Sequence, residues 1–543
     1  MDIETVPAEP IAGQKPGTSG LRKKTKVFLK PGYLENYIQA IIDGIGGVAG
    51  GTFVIGGDGR YGNRRAMQTL IRMLAANGAR HLIIGREGLL STPAASCLIR
   101  KRQADGGFIF SASHNAGGED GDFGLKYNIA NGGPAPEAVT AAIYEATKTI
   151  AFYRIAEMAP VDLAKIGTSE RDGMSVEVVD PVADYAALME ELFDFEAIAA
   201  LFSEGFTLSY DAMNAATGPY AKAILEERLG APEGTVVNGE PLADFGGLHP
   251  DPNPVHARKL FELMASPEAP DMGAASDGDG DRNLVLGPGL PVSPSDSIAI
   301  LAANAHLAPG YAKGPVGLAR SMPTSRALDR VAERLGVPLF ETPTGWKFFG
   351  NLLDAGKITL CGEESAGAGS DHVREKDGLW AVLLWLNILA RRKETIPEIA
   401  RTHWALFGRN YYTRHDYEAL DTESAEALMA ELSTRLPELA GTSAGTLTVE
   451  AADDFAYRDP IDGSLTEHQG LRILFSGGGR AVFRLSGTGT EGATLRVYLE
   501  RFEADAEKHG LDPQEALKPI LEAAREVARI KAHIGRTHPD VIT

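Results

Sequence analysis

Apolar and polar positions along the chain fall into a recurring order. Three segments read alike: a short apolar run, a turn of small residues, apolar residues at three-to-four spacing, then glycine. They are TFVIGGDGRYGNRRAMQTLIRMLAANG from Thr52, TLSYDAMNAATGPYAKAILEERLG from Thr207 and VGLARSMPTSRALDRVAERLG from Val316. The apolar run predicts a buried strand, and the wider spacing predicts an amphipathic helix. Gly78, Gly230 and Gly336 stand where a helix C-terminus takes a left-handed residue. Strand-helix alternation of this kind predicts α/β units with largely parallel sheets. The run LWAVLLWLNILA from Leu379 is too short to span a bilayer and contains Asn387, so it predicts a buried helix. After FGRNYYTRHDYE the texture changes. Helical SAEALMAELSTRL, strand-like LRILFSGGGRAVFRLSG and ATLRVYLE, and a final helix PQEALKPILEAAREVARIKAHI predict a smaller unit with antiparallel strands. The expected fold class is therefore α/β: three similar mixed α/β domains in series plus a smaller α+β C-terminal domain. Pro-, Gly- and Asp-containing junctions at EVVDPVADY and GPGLPVSPSD place the expected boundaries at 1–183, 184–291, 292–406 and 407–543.

Composition narrows the function classes. A chain of 543 residues is too long for one core. Its formal net charge of −20 sets it against nucleic acid and anionic membranes. An anionic ligand would need a local basic pocket working against the global field. Cys97 and Cys361 are the two cysteines and lie far apart, so no disulfide framework or thiolate metal site is visible, as fits a reducing compartment. The start, MDIETVPAEP, is acidic and lacks the apolar stretch of a signal peptide. A cytoplasmic protein is the expectation.

The stretch FSASHNAGGEDGDFGLKYNIANGGPAP, from Phe110, follows the apolar run Gly107–Phe110. A hydrolase elbow would read Gly-x-Ser-x-Gly, but Ser111 and Asn115 occupy the outer positions around Ser113. A Ser-His dyad is not expected either, because neighbouring side chains in an extended loop point to opposite sides. What remains is a serine on a small-residue loop, with His114, Asn115 and Lys126 as nearby donors. That suits a hydroxyl that carries or attacks a phosphoryl group, whose charge needs several donors. In AASDGDGDRN, Asp277, Asp279 and Asp281 alternate with glycines and converge on one point, predicting an oxygen-lined Mg²⁺ site. A calcium EF-hand would need glycine and glutamate where Arg282 and Pro288 stand. Arg282 is placed to hold a phosphate oxygen beside the metal. RLSGTGTEGATLRVYLE offers Ser486, Gly487, Thr488 and Thr490 between Arg484 and Arg496, a phosphate nest by composition without the ending of an NTPase loop. QKPGTSGLRKKTKVF adds Thr18, Ser19 and Arg22 as further phosphate contacts. CGEESAGAGSDHVREKDGLW carries Glu363, Ser365 and Lys376, and TPTGWKFFGN carries Thr344, partners for a hydroxyl-rich substrate. Glu363 and its neighbour Glu364 would point apart in a strand, against a glycosidase carboxylate pair.

Taken in order, these segments resemble the α-D-phosphohexomutases, over nearly the whole chain. The family's serine motif is similar to SASHNAGG here, with Ala116 in place of the usual proline. DGDGDR is similar to its metal loop, GEES to its sugar-binding loop and RLSGTGTEGATLR to its phosphate-binding loop, where Glu491 replaces a small residue. QKPGTSGLRKKTKVF and SDHVREKDGLWAVLLWL resemble the branch acting on glucose phosphates rather than those acting on mannose or glucosamine phosphates. The resemblance implies four domains arranged as a heart around a central cleft. It implies that Ser113 is phosphorylated, that Ser113, Asp277, Asp279 and Asp281 hold Mg²⁺, and that Arg22, His114, Lys126, Arg282 and Lys376 surround the transferring group. Lys126 is the favoured proton-handling group, with His114 and Arg22 as the other candidates. Thr18, Ser19, Arg282, Thr344, Glu363, Ser365 and Lys376 would bind substrate, and Arg484, Ser486, Gly487, Thr488, Thr490 and Arg496 its non-reacting phosphate. The expected activity interconverts glucose 1-phosphate and glucose 6-phosphate through a glucose 1,6-bisphosphate intermediate. The alternatives are the same chemistry on mannose 1-phosphate, or a non-catalytic phosphosugar-binding scaffold. Expected partners are small-molecule hexose phosphates, with no nucleic acid and no membrane, on a monomer or weak homodimer.

Overall fold

The computed structural model describes residues 2–486 and 492–543 in full and the backbone alone at 487–489. All three strand-turn-helix segments form. Strand Thr52–Gly57 leads to helix Asn63–Ala76, and strand Leu318–Ser321 to helix Ala327–Leu335. Strand Leu208–Asp211 leads to Thr217–Ala221, which continues as a π-helical stretch, Lys222–Arg228. Gly78, Gly230 and Gly336 have φ of +83°, +73° and +68°, the left-handed geometry that a Cβ penalises by roughly 1–2 kcal/mol.

The sheets are more mixed than the alternation predicts. In the first, Gly106–Phe110, Thr52–Gly57, His81–Gly85 and Met174–Val179 are parallel, with antiparallel strands at both edges. In the second, Val236–Val237, Leu208–Asp211 and Met272–Ser276 are parallel. In the third, Leu339–Thr342, Leu318–Ser321 and Leu360–Glu363 are parallel. Each then takes an antiparallel strand directly after the parallel strand that carries a functional loop. These hairpin partners are Asp122–Ile129, Asn283–Gly287 and Gly367–Ser370. A crossover helix keeps strands parallel, whereas a short loop can only return antiparallel. The Ser113, Asp277 and Glu363 loops are all such short returns, so the same position in three related sheets supplies the candidate chemistry.

One continuous apolar core runs through these three units, with helix Gly378–Arg392 at its centre. Its residues from Gly378 to Ala390 are buried. The polar side chains of this buried helical run are hydrogen-bonded. Trp380 Nε1 donates to Tyr311 Oη at 2.7 Å and Trp385 Nε1 to Ser297 Oγ at 2.9 Å. Asn387, the polar residue of the run, donates to Leu307 O at 3.1 Å and accepts from Asp194 N at 2.9 Å. No helix among the described residues is long and apolar enough to cross a membrane.

The C-terminal unit is a seven-stranded sheet, antiparallel throughout, with its own core around Leu428, Ile473, Phe483 and Leu495. The single final helix that the periodicity predicts is two, Pro513–Val527 and Ile530–Ile534, with Arg529 left-handed at φ +48° between them. The turn sends the tail back, so that Val541–Ile542 pairs with the strand Arg409–Leu420.

Asp296 gives a stability test. It is buried in the first turn of helix Pro294–Asn304. Burial pushes its carboxyl up to about 6, against the opposing effects of Arg409, Trp404 and Ser293. A folded-state pKa above the unfolded one means stability present at low pH is lost as pH rises through about 6. Asp296→Asn, which mimics the neutral acid, is expected to stabilise the chain by about 3 kcal/mol at pH 8, and by less as pH falls toward 4. Urea midpoints across that range check it; destabilisation at pH 8 refutes the burial argument.

Candidate functional site

The three loops meet at a cavity of about 590 Å³. Ser113 lies in its wall, 1% exposed, with φ +54°. Its backbone is held on both sides. Ser113 N donates to Ser111 Oγ at 2.7 Å, and Arg60 Nη2 donates to Ser113 O at 2.9 Å. Arg60 is itself fixed by both oxygens of Asp58 and by Asp122 O. The left-handed backbone overturns the alternation argument against a Ser-His contact: His114 Nδ1 sits 3.3 Å from Ser113 Oγ. Burial, then Arg282, Arg22 and Lys376, hold the imidazole well below its ordinary pKa, so it is neutral near pH 7.

Ser113 Oγ donates to Asp277 Oδ2 at 2.9 Å. Asp277, Asp279 and Asp281 each bring an oxygen within 4.8 Å of the others, and all three are buried. Asp279 Oδ1 and Asp281 Oδ1 have no hydrogen-bond partner. Burial, then repulsion from Asp281 and Asp279, pushes the Asp277 carboxyl well above the carboxylate range. Orphaned oxygens in a converging, self-repelling set are what a hard divalent cation would satisfy. The set fits Mg²⁺.

Cations close the acidic group from the other side. Lys126 Nζ lies 2.5 Å from Asp279 Oδ2, 3.8 Å from Asp281 Oδ2 and 3.3 Å from Thr92 Oγ1. Burial alone would lower its pKa, but Asp279 and Asp281 outweigh that and raise it. In this arrangement Lys126 is held by two carboxylates, and of the candidates for proton handling it is His114 that lies beside Ser113 Oγ. Lys376 Nζ is 3.4 Å from Asp281 Oδ2, and Arg282 Nη1 is 3.6 Å from Asp251 Oδ1. The basic pocket demanded by a chain of net charge −20 is thus present.

The remaining expected residues divide. Thr18, Ser19, Arg22, Thr344, Glu363, Ser365, Ser486 and Arg496 share the cavity wall with Ser113. Glu363 is oriented by Gly345 N, which donates to Oε1 at 2.8 Å, and Thr344 Oγ1 is buried without a partner. Arg484 is outside that wall: its Nε donates to Gln469 O at 3.1 Å, although it pairs directly across the sheet with Arg496. Thr490 lies outside the described residues, and at Gly487 and Thr488 the backbone alone is described. Sequence reasoning missed Glu375, which lines the cavity and accepts from Asn128 Nδ2 at 2.9 Å. Burial pushes its carboxyl up to about 7, against Lys126. It also missed Asp58 and Arg60, although their signal, GGDGR directly after an apolar strand, stands in the sequence.

Family models match the chain in four places. Phosphoglucomutase/phosphomannomutase α/β/α domains I, II and III match residues 13–154, 183–288 and 294–407. The phosphoglucomutase-1 C-terminal domain matches 409–540. The chain is 61% identical over 541 residues to a phosphoglucomutase of Rhizobium radiobacter, covering both chains completely. It is 52% identical to a chloroplastic phosphoglucomutase of Arabidopsis thaliana, over 100% of this chain and 89% of the other. Among solved structures, the open form of the Paramecium exocytosis-sensitive phosphoprotein parafusin, a phosphoglucomutase, superposes with a TM-score of 0.92 at 44% identity, covering 100% and 99% of the two chains. With models spanning all four units and a full-length relative above 60% identity, the chain belongs to the phosphoglucomutase/phosphomannomutase family.

Proposed function

We propose that this chain is a phosphoglucomutase that interconverts α-D-glucose 1-phosphate and glucose 6-phosphate by way of phospho-Ser113 and glucose 1,6-bisphosphate. The observation that carries the reading is the Ser113 hydroxyl, 2.9 Å from an oxygen of a buried aspartate triad, on a residue that lines a cavity edged with Arg and Lys. In this reading residues 1–183 carry the serine, 184–291 the aspartates, 292–406 the sugar contacts and 407–543 the phosphate contacts.

In the first half-reaction the phosphoryl group passes from Ser113 Oγ to the C6 hydroxyl of glucose 1-phosphate. The Oγ–P bond breaks, an O6–P bond forms, and the O6 proton ends on Ser113 Oγ. After the bisphosphate has turned over, Ser113 Oγ attacks the phosphorus on O1; the Oγ–P bond forms and the O1–P bond breaks. The serine proton then ends on O1 of departing glucose 6-phosphate. His114, neutral and 3.3 Å from Oγ, carries the proton in both directions. Arg22, Lys126, Arg282 and Lys376 stand as fixed positive charge around the transferring group. Ser113 and the three aspartates would hold Mg²⁺, which when bound supplies positive charge opposite the phosphoryl oxygens. Glu363 and Ser365 read sugar hydroxyls, while Ser486 and Arg496 take whichever phosphate is not reacting.

Coupled detection of glucose 6-phosphate formed from glucose 1-phosphate, with Mg²⁺ and with EDTA, tests the reading. Turnover that depends on Mg²⁺ and a phosphate on Ser113 by mass spectrometry are expected. Faster turnover of mannose 1-phosphate would move the assignment to a mannose-phosphate mutase. Sugar phosphate binding without turnover of either would leave a scaffold.

A further inference from the structure

Glu364 stands between two residues assigned to sugar, yet its carboxylate is committed elsewhere. Its backbone N donates to Thr324 Oγ1 at 2.9 Å, and its Oε2 accepts from Arg414 Nη1 at 3.1 Å. Arg414 belongs to the strand Arg409–Leu420 of the C-terminal unit, so the contact joins the sugar loop to a different sheet. Arg414 Nε is 3.0 Å from Asp416 Oδ1, two residues along on the same face of the strand. Asp416 sits directly opposite Arg496 across the sheet, with Oδ2 3.8 Å from Arg496 Nε. Arg496 lines the cavity, and its Nε is buried without a hydrogen-bond partner. Charges therefore alternate without a gap from the sugar loop to the phosphate arginine: Glu364, Arg414, Asp416, Arg496.

We infer that Arg414 is a positioning residue, a latch that ties the sugar loop to the phosphate site so that the two parts of a hexose phosphate are gripped together. The inference rests on the mutase reading above. When a phosphate draws Arg496 toward itself, Asp416 loses one of its two cations and turns more fully to Arg414. Arg414 in turn sets where Glu364, and with it the loop from Glu363 to Ser365, comes to rest. A lysine cannot replace it, because a single ammonium cannot lie against Glu364 and Asp416 at once as the two edges of the guanidinium do.

A double-mutant cycle isolates the pair. Binding of glucose 1-phosphate is measured by calorimetry in the Ser113→Ala background, which cannot turn substrate over, with Glu364→Gln, Arg414→Gln and both together. Each single change is expected to weaken binding about tenfold, and the double change no more than twofold beyond the worse single. In the active chain the same changes should raise KM and leave kcat within threefold, a split that general loss of packing would not produce. Arg414→Lys should behave like Arg414→Gln. Single effects under fivefold, or a double effect near the product of the singles, overturn the latch alone. A Ser113→Ala parent that does not bind glucose 1-phosphate overturns both the latch and the reading beneath it.

Discussion

Replacing Ser113 with alanine is expected to cut turnover of glucose 1-phosphate by on the order of 10⁴-fold or more and leave the chain folded. The removed oxygen is the atom to which the phosphoryl group is bonded in the proposed cycle, and among the described residues the neighbouring hydroxyls are engaged elsewhere. Ser111 Oγ already accepts from Ser113 N, and Thr92 Oγ1 donates to Asp279 Oδ2 at 2.6 Å. Folding has little stake in the lost hydroxyl. Asp277 loses one donor, a change of roughly 1 kcal/mol, and keeps the backbone N–H groups of Asp281 and Arg282 at 2.9 and 3.0 Å. Glycine separates chemistry from backbone geometry. At φ +54° a Cβ is strained, so Ser113→Gly should be more stable than Ser113→Ala by roughly 1 kcal/mol and equally inactive. Thermal unfolding of the three chains, beside the coupled assay with added glucose 1,6-bisphosphate, gives both readings. Residual turnover of the alanine variant above about 1% of wild type would sink the phosphoserine mechanism, since a lost nucleophile costs far more than that.

Much of this was legible in the chain because it depends on local spacing. Alternating apolar runs and helical periods, stopped by Gly78, Gly230 and Gly336, specify strand, helix and terminus within one segment each. The aspartates of DGDGDR converge because alternation over five residues needs no distant partner. The hidden parts depend on backbone torsion or on long-range contact. The approach of His114 to Ser113 exists because one residue turned left-handed, which a rule for extended chains cannot foresee. Glu364 and Arg414 are 50 residues apart, and Glu375 and Asn128 are 247 apart. Nothing beside either residue names its partner. The sheets misled for a related reason: strand-helix periodicity reveals the crossovers but not the hairpin strands that follow the functional loops.

Asp277→Asn is expected to cost about 10³-fold in turnover, the scale for losing a preorganised charge at a reacting group, without destabilising the metal-free protein. The two effects part because the wild-type carboxylate is already an unfavourable anion there. Burial, Asp281 and Asp279 push it toward its protonated form, and asparagine is close in shape to that form. Its Oδ1 still accepts from Asp281 N and Arg282 N, and its Nδ2 turns toward Ser113 Oγ in place of the oxygen that now accepts from it. The sign of the pH dependence follows. A folded pKa raised above the unfolded value removes stability as pH rises, so in EDTA the variant should gain on wild type with increasing pH. Mg²⁺ reverses the order. Ligand present at a hundred times its dissociation constant adds about 2.7 kcal/mol to the form that binds it, and the variant, short of one anionic oxygen ligand, should lose most of that increment. Unfolding midpoints of both chains in EDTA and in Mg²⁺, at pH 6 and pH 8, thus read the metal site without reference to turnover. Equal Mg²⁺ shifts in the two chains would mean that Asp277 is not a ligand. A variant less stable than wild type in EDTA would mean that the triad is held together by something other than the cation it is built to receive.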